Sequence, residues 1–337
     1  MRIQSTSFKP LSPPVRWGII GCGEVCEMKS GPAFYKTEGS LLVAVMRRDA
    51  AQAEDFARRH GIARWYADAH ALIADPEVDA VYVATPPSSH AEYAINAMQV
   101  GKPVYVEKPM AASYDECKEM NRVSLETGMP LLVAYYRRNL PYFLKIKEIL
   151  DTGEIGKIIS VHIRFRRSAL PQDGDPQHQP WRVQSAISGA GYFYDMACHT
   201  LDILDFLLGE IVDAHGQATN RAGLYAVEDT VTASFRFASG VVGCGEWAYA
   251  APELADCDEV EITGSEGNIR FATFSFAPVP VRTVHTQAEY AFPRPEHIQQ
   301  PMIAAVVAQL CGRGISPSDG VSAARTNHVM DKILNRC

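Results

Sequence analysis

The stretch Val15-Arg-Trp-Gly-Ile-Ile-Gly-Cys-Gly-Glu-Val-Cys26 decides the fold. Residues 17–20 form an apolar run that reads as a buried strand; it stops at Gly21-Cys22-Gly23 and gives way to a helix-compatible segment. A strand that turns through glycines into a helix leaves bare backbone amides at the helix N-terminus, where a phosphate is favoured. Gly21 permits the tight turn and Gly23 lets a pyrophosphate approach the backbone, with Glu24 and Val25 opening the helix. The third glycine of that pattern is Cys26 here, a departure, though its side chain is small enough for helix–strand packing.

The pattern then repeats along the first half of the chain. Residues 24–36 predict a helix interrupted at Gly31-Pro32, and 41–46 a second strand ending in Arg47-Arg48-Asp49. Asp49 with Gln52 makes a capping box for a helix that ends at Gly61. Residues 80–84 are the next apolar strand, and Ser89 with Glu92 caps a helix stopping at Gly101. Strand 104–106, a helix capped by Ser113 and Glu116 that ends at Gly128, and strand 131–134 complete the series. Short, continuously apolar strands alternating with capped helices predict a parallel sheet covered on both faces.

Beyond residue 137 the texture changes. A helix is expected over 140–150, a strand over 158–165, a polar Pro-rich loop over 168–185 and a helix over 192–208. Strict alternation follows: Val231, Ala233, Phe235 and Phe237 on one face, Thr230, Thr232, Ser234 and Arg236 on the other, a strand with one buried side. Residues 241–249 continue it, 260–262 and 269–271 flank a Gly264-Ser-Glu-Gly267 turn as a hairpin, and helices near 297–311 and 318–334 close the chain. The expected architecture is α/β. A flexible lead-in (1–14) precedes an N-terminal Rossmann domain (15–135) with a doubly wound parallel sheet. A C-terminal α+β domain (136–337) follows, with an open, mostly antiparallel sheet. Such a sheet leaves one face available, so a homodimer or homotetramer joined through it is expected.

Composition narrows the function classes. The chain has 337 residues, enough for two cores, with 47% hydrophobic and 21% charged residues. A formal charge of −7 without a Lys/Arg block argues against nucleic acid as a partner. No run approaches the ~20 apolar residues that cross a membrane, and the first fourteen residues lack the form of a secretory signal. The eight cysteines show no metal-ligand spacing and read as reduced thiols of a cytoplasmic protein.

Four clusters could carry chemistry. Glu107-Lys108-Pro109 follows strand 104–106, and ligands of open α/β sheets sit outside the carboxyl ends of the strands. Lys108 there can hydrogen-bond a substrate hydroxyl and stabilise a developing alkoxide, although an isolated Lys-Pro equally suits a surface loop. Asp195 and His199 are four apart on a predicted helix, so a carboxylate lies beside an imidazole as a general base requires; a core histidine bonded to an acid fits the same spacing. Thr85-Pro86-Pro87-Ser-Ser-His90 ends strand 80–84 and suits the nicotinamide side of a cleft, with His90 either lining it or capping the next helix at the surface. Arg47 and Arg48 stand where an NAD-preferring Rossmann domain carries an acid for the ribose 2′-hydroxyl. An arginine there suits a 2′-phosphate and favours NADP over NAD.

Together these residues resemble the glucose–fructose oxidoreductase/inositol dehydrogenase family, the Gfo/Idh/MocA oxidoreductases, over nearly the whole chain. The Glu107-Lys108-Pro109 triplet is the most specific element. It is supported by Asp75-Pro-Glu-Val-Asp-Ala-Val-Tyr-Val-Ala-Thr-Pro86, Gly101-Lys-Pro-Val, Gly153-Glu-Ile-Gly-Lys157, Gly264-Ser-Glu-Gly267 and the family's D-x-x-x-H at Asp195…His199. The resemblance implies a catalytic Lys108, a general acid/base His199, and Asp195 as its partner or as a substrate ligand. It also implies a Lys108–Pro109 bond that is often cis in relatives, and a sugar side faced by Tyr135, Arg138, Trp181 and Arg182. Gly189-Ala190-Gly191 departs from the family's glycine triplet, and Arg47 replaces the acid of NAD-preferring members. The implied activity is hydride transfer between NADP, or NAD, and a ring carbinol or ketone of a sugar, inositol or related polyol. No metal is required, because Lys108 supplies the electrostatic stabilisation. Two alternatives share the fold: an NAD-dependent glycosidase and a dinucleotide-binding regulator without chemistry.

Overall fold

A computed structural model describes residues 8–336. The chain divides into two compact units: one runs to Leu140 and takes in Pro295–Ala324, the other holds Pro141–Arg294 and the residues from Arg325 on. The nucleotide half is therefore built from two separate pieces of sequence, whereas the sequence pattern alone places everything after residue 135 in the second domain. The lead-in expected over 1–14 lies outside the described residues up to residue 7. From residue 8 it is placed, with Leu11 N–H donating to Leu310 O at 2.8 Å.

In the first unit β1 (Val15–Ile20), α1 (Gly31–Lys36), β2 (Ser40–Met46), α2 (Ala50–His60), β3 (Arg64–Tyr66), α3 (Ala69–Ala74), β4 (Ala80–Val83), α4 (His90–Gln99), β5 (Val104–Val106), α5 (Tyr114–Thr127) and β6 (Leu131–Val133) alternate. The six strands pair in parallel in the order β3-β2-β1-β4-β5-β6. The order reverses between β1 and β4, the switch point where doubly wound sheets bind ligands. Beneath it Trp17, Phe34, Tyr82 and Tyr105 pack in succession with centroids 4.9–5.3 Å apart, Tyr82 and Tyr105 stacked and the other pairs tilted, all fully buried.

Sequence rules decide several helix ends. Asp49 accepts the Gln52 N–H at 3.1 Å, Ser113 accepts that of Glu116 at 3.2 Å, and α2 and α5 stop at Gly61 and Gly128 with left-handed φ. Two expectations are corrected. Ser89 caps nothing: its hydroxyl bonds Thr85 Oγ1 and Pro86 O, because a 3₁₀ turn, Pro87–Ser89, runs directly into α4. The helix from Glu24 is not interrupted at Gly31-Pro32 but passes through a π turn, Cys26–Ser30. Gly31 N–H reaches back five residues to Cys26 O. The wider turn accommodates Pro32, which has no N–H to offer. It also requires glycine at 31, where a Cβ would lie 2.3 Å from Cys26 O.

The second unit contains α6 (Pro141–Asp151), β7 (Ile158–Arg166), α7 (Ser185–Ser188), α8 (Cys198–Leu208), β8 (Ile211–Thr219), β9 (Thr230–Phe237), β10 (Val242–Ala248), β11 (Cys257–Gly264), β12 (Gly267–Phe271), β13 (Val279–Thr283) and β14 (Gln287–Tyr290). These eight strands form one sheet in the order β14-β13-β12-β11-β7-β10-β9-β8, antiparallel except for β7 with β10. The alternation of β9 is as expected, Val231, Ala233, Phe235 and Phe237 buried and Thr232, Ser234 and Arg236 exposed, and β11–β12 is the expected hairpin with Ile262 opposite Ile269. On the outward face, Arg164 pairs with Glu259 and Arg166 with Glu246 across neighbouring strands. α9 (Gln300–Leu310) returns to the first unit, and α10 (Gly320–Ile333) begins there and ends in the second.

The described cysteines are free thiols; Cys337 lies outside the described residues. Among the described residues no helix is long and apolar enough to cross a membrane, and no three His, Cys, Asp or Glu side chains gather as a metal-binding set.

Candidate active site

In the first unit the site grows from the ends of three strands. After β1, Gly21 sits at φ +92°, where a Cβ would lie 2.8 Å from the backbone N and Cγ2 of Thr85. The loop after β1 and the loop after β4 are therefore in backbone contact, and only glycine allows it. Gly23 faces open space: a Cβ there would find its nearest neighbour, Gly21 O, 4.0 Å away. The N–H groups of Glu24 and Val25 open the helix, in the first turn where amides have no intrahelical acceptor. Those free donors beside an open glycine fit the pyrophosphate of a dinucleotide. Burial pushes the Cys22 thiol between the glycines up to about 11, so it stays neutral.

At the end of β2, Arg47 and Arg48 form no ion pair or side-chain hydrogen bond among the described residues. The neighbouring acid is occupied: Asp49 Oδ1 accepts the Gln52 N–H and Oδ2 accepts Gln52 Nε2 at 2.6 Å. The side chains available at this strand tip are therefore the two positive ones, Arg47 and Arg48.

At the end of β5 the Lys108–Pro109 peptide is cis. Glu107 is not presented to a ligand. Its side chain is 7% exposed; Oε1 accepts from Tyr82 OH and from Gln299 Nε2, each at 2.6 Å, and Oε2 accepts the Lys108 N–H at 3.0 Å. A buried carboxylate thus fixes the backbone of the lysine beside it. His90, left open between a cleft residue and a surface cap, is neither exposed nor a cap. It is fully buried, with Nδ1 3.0 Å from Pro109 O and Nε2 2.7 Å from Thr85 O. The ring ties the Thr85-Pro86-Pro87 loop to the Lys108–Pro109 turn. Burial lowers its pKa, opposed by the two carbonyls and by Glu107. Tyr135 and Arg138 are buried too, and Arg138 Nη1 donates to Pro317 O at 3.0 Å.

In the second unit the loop expected over 168–185 is pinned rather than free. Asp173 is fully buried, accepts from Tyr192 OH at 2.5 Å and from Leu170 N–H at 2.8 Å, and helps burial push Tyr192 up to about 12. The loop ends in a 3₁₀ turn, Trp181–Val183, which presents Arg182. The Arg182 guanidinium lies 4.6 Å from the Trp181 ring centroid, and its Nε donates to Asp195 Oδ2 at 3.0 Å. Asp195 falls within a π turn, Phe193–Ala197, and His199 in the first turn of α8, so the uninterrupted α-helical spacing assumed for the pair is replaced by a wider turn. His199 is 6% exposed and meets the Phe274 ring edge to face at 5.7 Å. Tyr194 OH, next to Asp195, donates to Asp331 of α10.

The structure therefore brings Thr85, His90, Glu107 and Lys108 together in one unit, and Trp181, Arg182 and Asp195 in the other. Two participants went unread in the sequence, Tyr82 and Gln299. A tyrosine in the otherwise aliphatic strand Ala80-Val-Tyr-Val83 is a usable signal, since a buried phenol needs an acceptor. Gln299, 192 residues from Glu107, gives none.

Residues 15–135 match the family model described as oxidoreductase family, NAD-binding Rossmann fold, and residues 143–270 match the GFO/IDH/MocA C-terminal domain. The chain belongs to the GFO/IDH/MocA family of oxidoreductases. Among curated proteins it is 41% identical to an oxidoreductase of Formosa agariphila, covering 94% of this chain and 97% of that one. It is 31% identical to the scyllo-inositol 2-dehydrogenase (NAD(+)) of Bacillus subtilis, over 79% and 76% of the two chains. Among solved structures, an oxidoreductase from Agrobacterium radiobacter in complex with NAD+, L-tartaric acid and magnesium superposes with a TM-score of 0.83 at 23% identity, covering 96% of each chain. That likeness concerns the fold. This family member is an NAD-binding oxidoreductase by its first domain, and its own residues bear on the rest.

Proposed function

We propose that the chain transfers hydride between NADP(H) and a ring carbinol or ketone of a sugar, inositol or related cyclic polyol. The observation that carries this reading is the Lys108 turn. A lysine is held at the carboxyl end of β5 by a buried carboxylate, in the same unit as an open glycine loop with free helix amides. The scyllo-inositol dehydrogenase relative supports the substrate class.

Gly21, Gly23, Glu24 and Val25 would hold the pyrophosphate, Arg47 and Arg48 the 2′-phosphate, and Thr85, Pro86 and Pro87 the nicotinamide side. When bound, the nicotinamide supplies the hydride acceptor or donor. In the oxidative direction His199 would serve as the general base, and the Lys108 ammonium would donate to an oxygen on which negative charge grows. Arg182 fixes the Asp195 carboxylate, which orients the substrate or the imidazole, and Trp181 gives the sugar face a flat apolar wall.

The test is absorbance at the reduced-nicotinamide band across inositols, aldoses, keto-sugars and dihydrodiols, with each cofactor. Turnover with a ring polyol and a lower KM for NADP(H) is expected. Binding of cofactor without net oxidation or reduction of any panel member would overturn the reading in favour of a sensor or an internally recycling glycosidase.

A further inference from the structure

We infer that Gln299 is a positioning residue for Lys108, acting through the Glu107 carboxylate. The inference rests on the reading of Lys108 as a catalytic group. Gln299 immediately precedes α9, in the segment Pro295–Ala324 that returns to the first unit, and its side chain is 1% exposed. Its Nε2 donates to Glu107 Oε1 at 2.6 Å, the oxygen that Tyr82 OH also reaches at 2.6 Å. The other oxygen accepts the Lys108 N–H at 3.0 Å.

A buried carboxylate is stable only where donors compensate its lost hydration. Two side-chain donors on Oε1 fix the plane of the carboxylate, and the orientation of Oε2 then sets the peptide N–H of Lys108. On the far side of the same turn, His90 holds the Pro109 carbonyl. The Lys108 backbone is thus gripped on both sides, and Gln299 contributes to one grip from the distant piece of sequence. Among the described residues, the titratable groups that face Glu107 include Tyr82 of β4, Tyr105 of β5, His90 of α4 and Cys26 of the π turn.

Removing the donor leaves Glu107 free to rotate, and Lys108 moves with it. Two variants test this, Gln299→Leu, which deletes the donor, and the near-isosteric Gln299→Glu, which sets a second carboxylate against Oε1. Lys108 is read directly by competitive acetylation with acetic anhydride across pH, quantified by peptide mass spectrometry on the full-length protein. Both variants are expected to change the Lys108 labelling midpoint by at least about half a pH unit. With the polyol that the substrate panel identifies, Gln299→Leu is expected to lower kcat by about ten- to a hundredfold while nucleotide KM stays within about twofold. Gln299→Glu, which replaces the donor by an acceptor, is expected to lower kcat as well. A panel without a substrate would sink the proposed function and leave the labelling to decide this inference alone. A Lys108 labelling profile unchanged from the parent in the folded variants would overturn it, even with a lowered melting temperature.

Discussion

Glu228 gives the most quantitative expectation. The residue is half-buried, but its Oε1 is buried without a hydrogen-bond partner, 3.4 Å from where a Cβ on Gly191 would sit before the Asp195 turn. Burial pushes its pKa from 4.5 to about 7, with only Arg336 and a backbone bond opposing. Because the folded pKa is raised, the native state holds this proton more tightly than the unfolded chain. Its favourable contribution is complete below pH 4.5 and is lost as pH rises through about 7. The gap between those values corresponds to about 3 kcal/mol as an upper figure, which partial solvent access reduces. Gln at this position keeps the shape and cannot ionise. Glu228→Gln is therefore expected to match the parent near pH 4.5 and to exceed it at pH 8 by up to about 3 kcal/mol, a rise in Tm of about 4 °C for a chain of this size. Calorimetry or urea unfolding of both proteins across pH 4.5–8 reads the difference. A difference that does not grow with pH, or a variant no more stable than the parent at pH 8, would refute the reasoning.

Other expectations concern the two halves of the site and the helix ends. Lys108→Met and His199→Ala should each lower turnover by about 10²-fold or more while cofactor affinity, read by fluorescence titration, stays near that of the parent; near-parental turnover in either would remove that residue from the chemistry. Arg47→Ala should weaken NADP(H) binding by about tenfold and leave NAD(H) nearly untouched, as comparison of KM values will show. Ser113→Ala should cost about 1 kcal/mol in chemical denaturation because it removes a cap that the structure shows. Ser89→Ala should cost clearly less, since Ser89 holds no helix amide.

Where period and capping agree, the sequence was legible. β4, β5 and β6 are apolar and buried throughout and β1 and β2 mostly so, and Asp49, Ser113, Gly61 and Gly128 mark helix ends by local chemistry that needs no tertiary partner. β3, with Arg64, Trp65 and Tyr66 all partly exposed at the sheet edge, carries no such pattern in three residues. β8 is hidden by its polar composition, Ile-Val-Asp-Ala-His-Gly-Gln-Ala-Thr, and β13 and β14 by their shortness. Both π turns were read as ordinary helix, since an extra residue in a turn leaves the apolar spacing almost unchanged. In the site, Lys108 could be placed because a strand end precedes it. The burial of Glu107 and His90 could not, because it depends on Tyr82, Gln299, Thr85 and Pro109, whose side chains and carbonyls meet them only through folding.

The return of Pro295–Ala324 to the first unit bears on how this enzyme can be recombined. A chimaera that exchanges cofactor preference by splicing once near residue 140 would inherit a new Glu107 facing an old Gln299, a mismatch invisible at the junction. Only a graft with two crossovers, carrying the later stretch along with the earlier one, transplants the lysine turn together with the residue that steadies it.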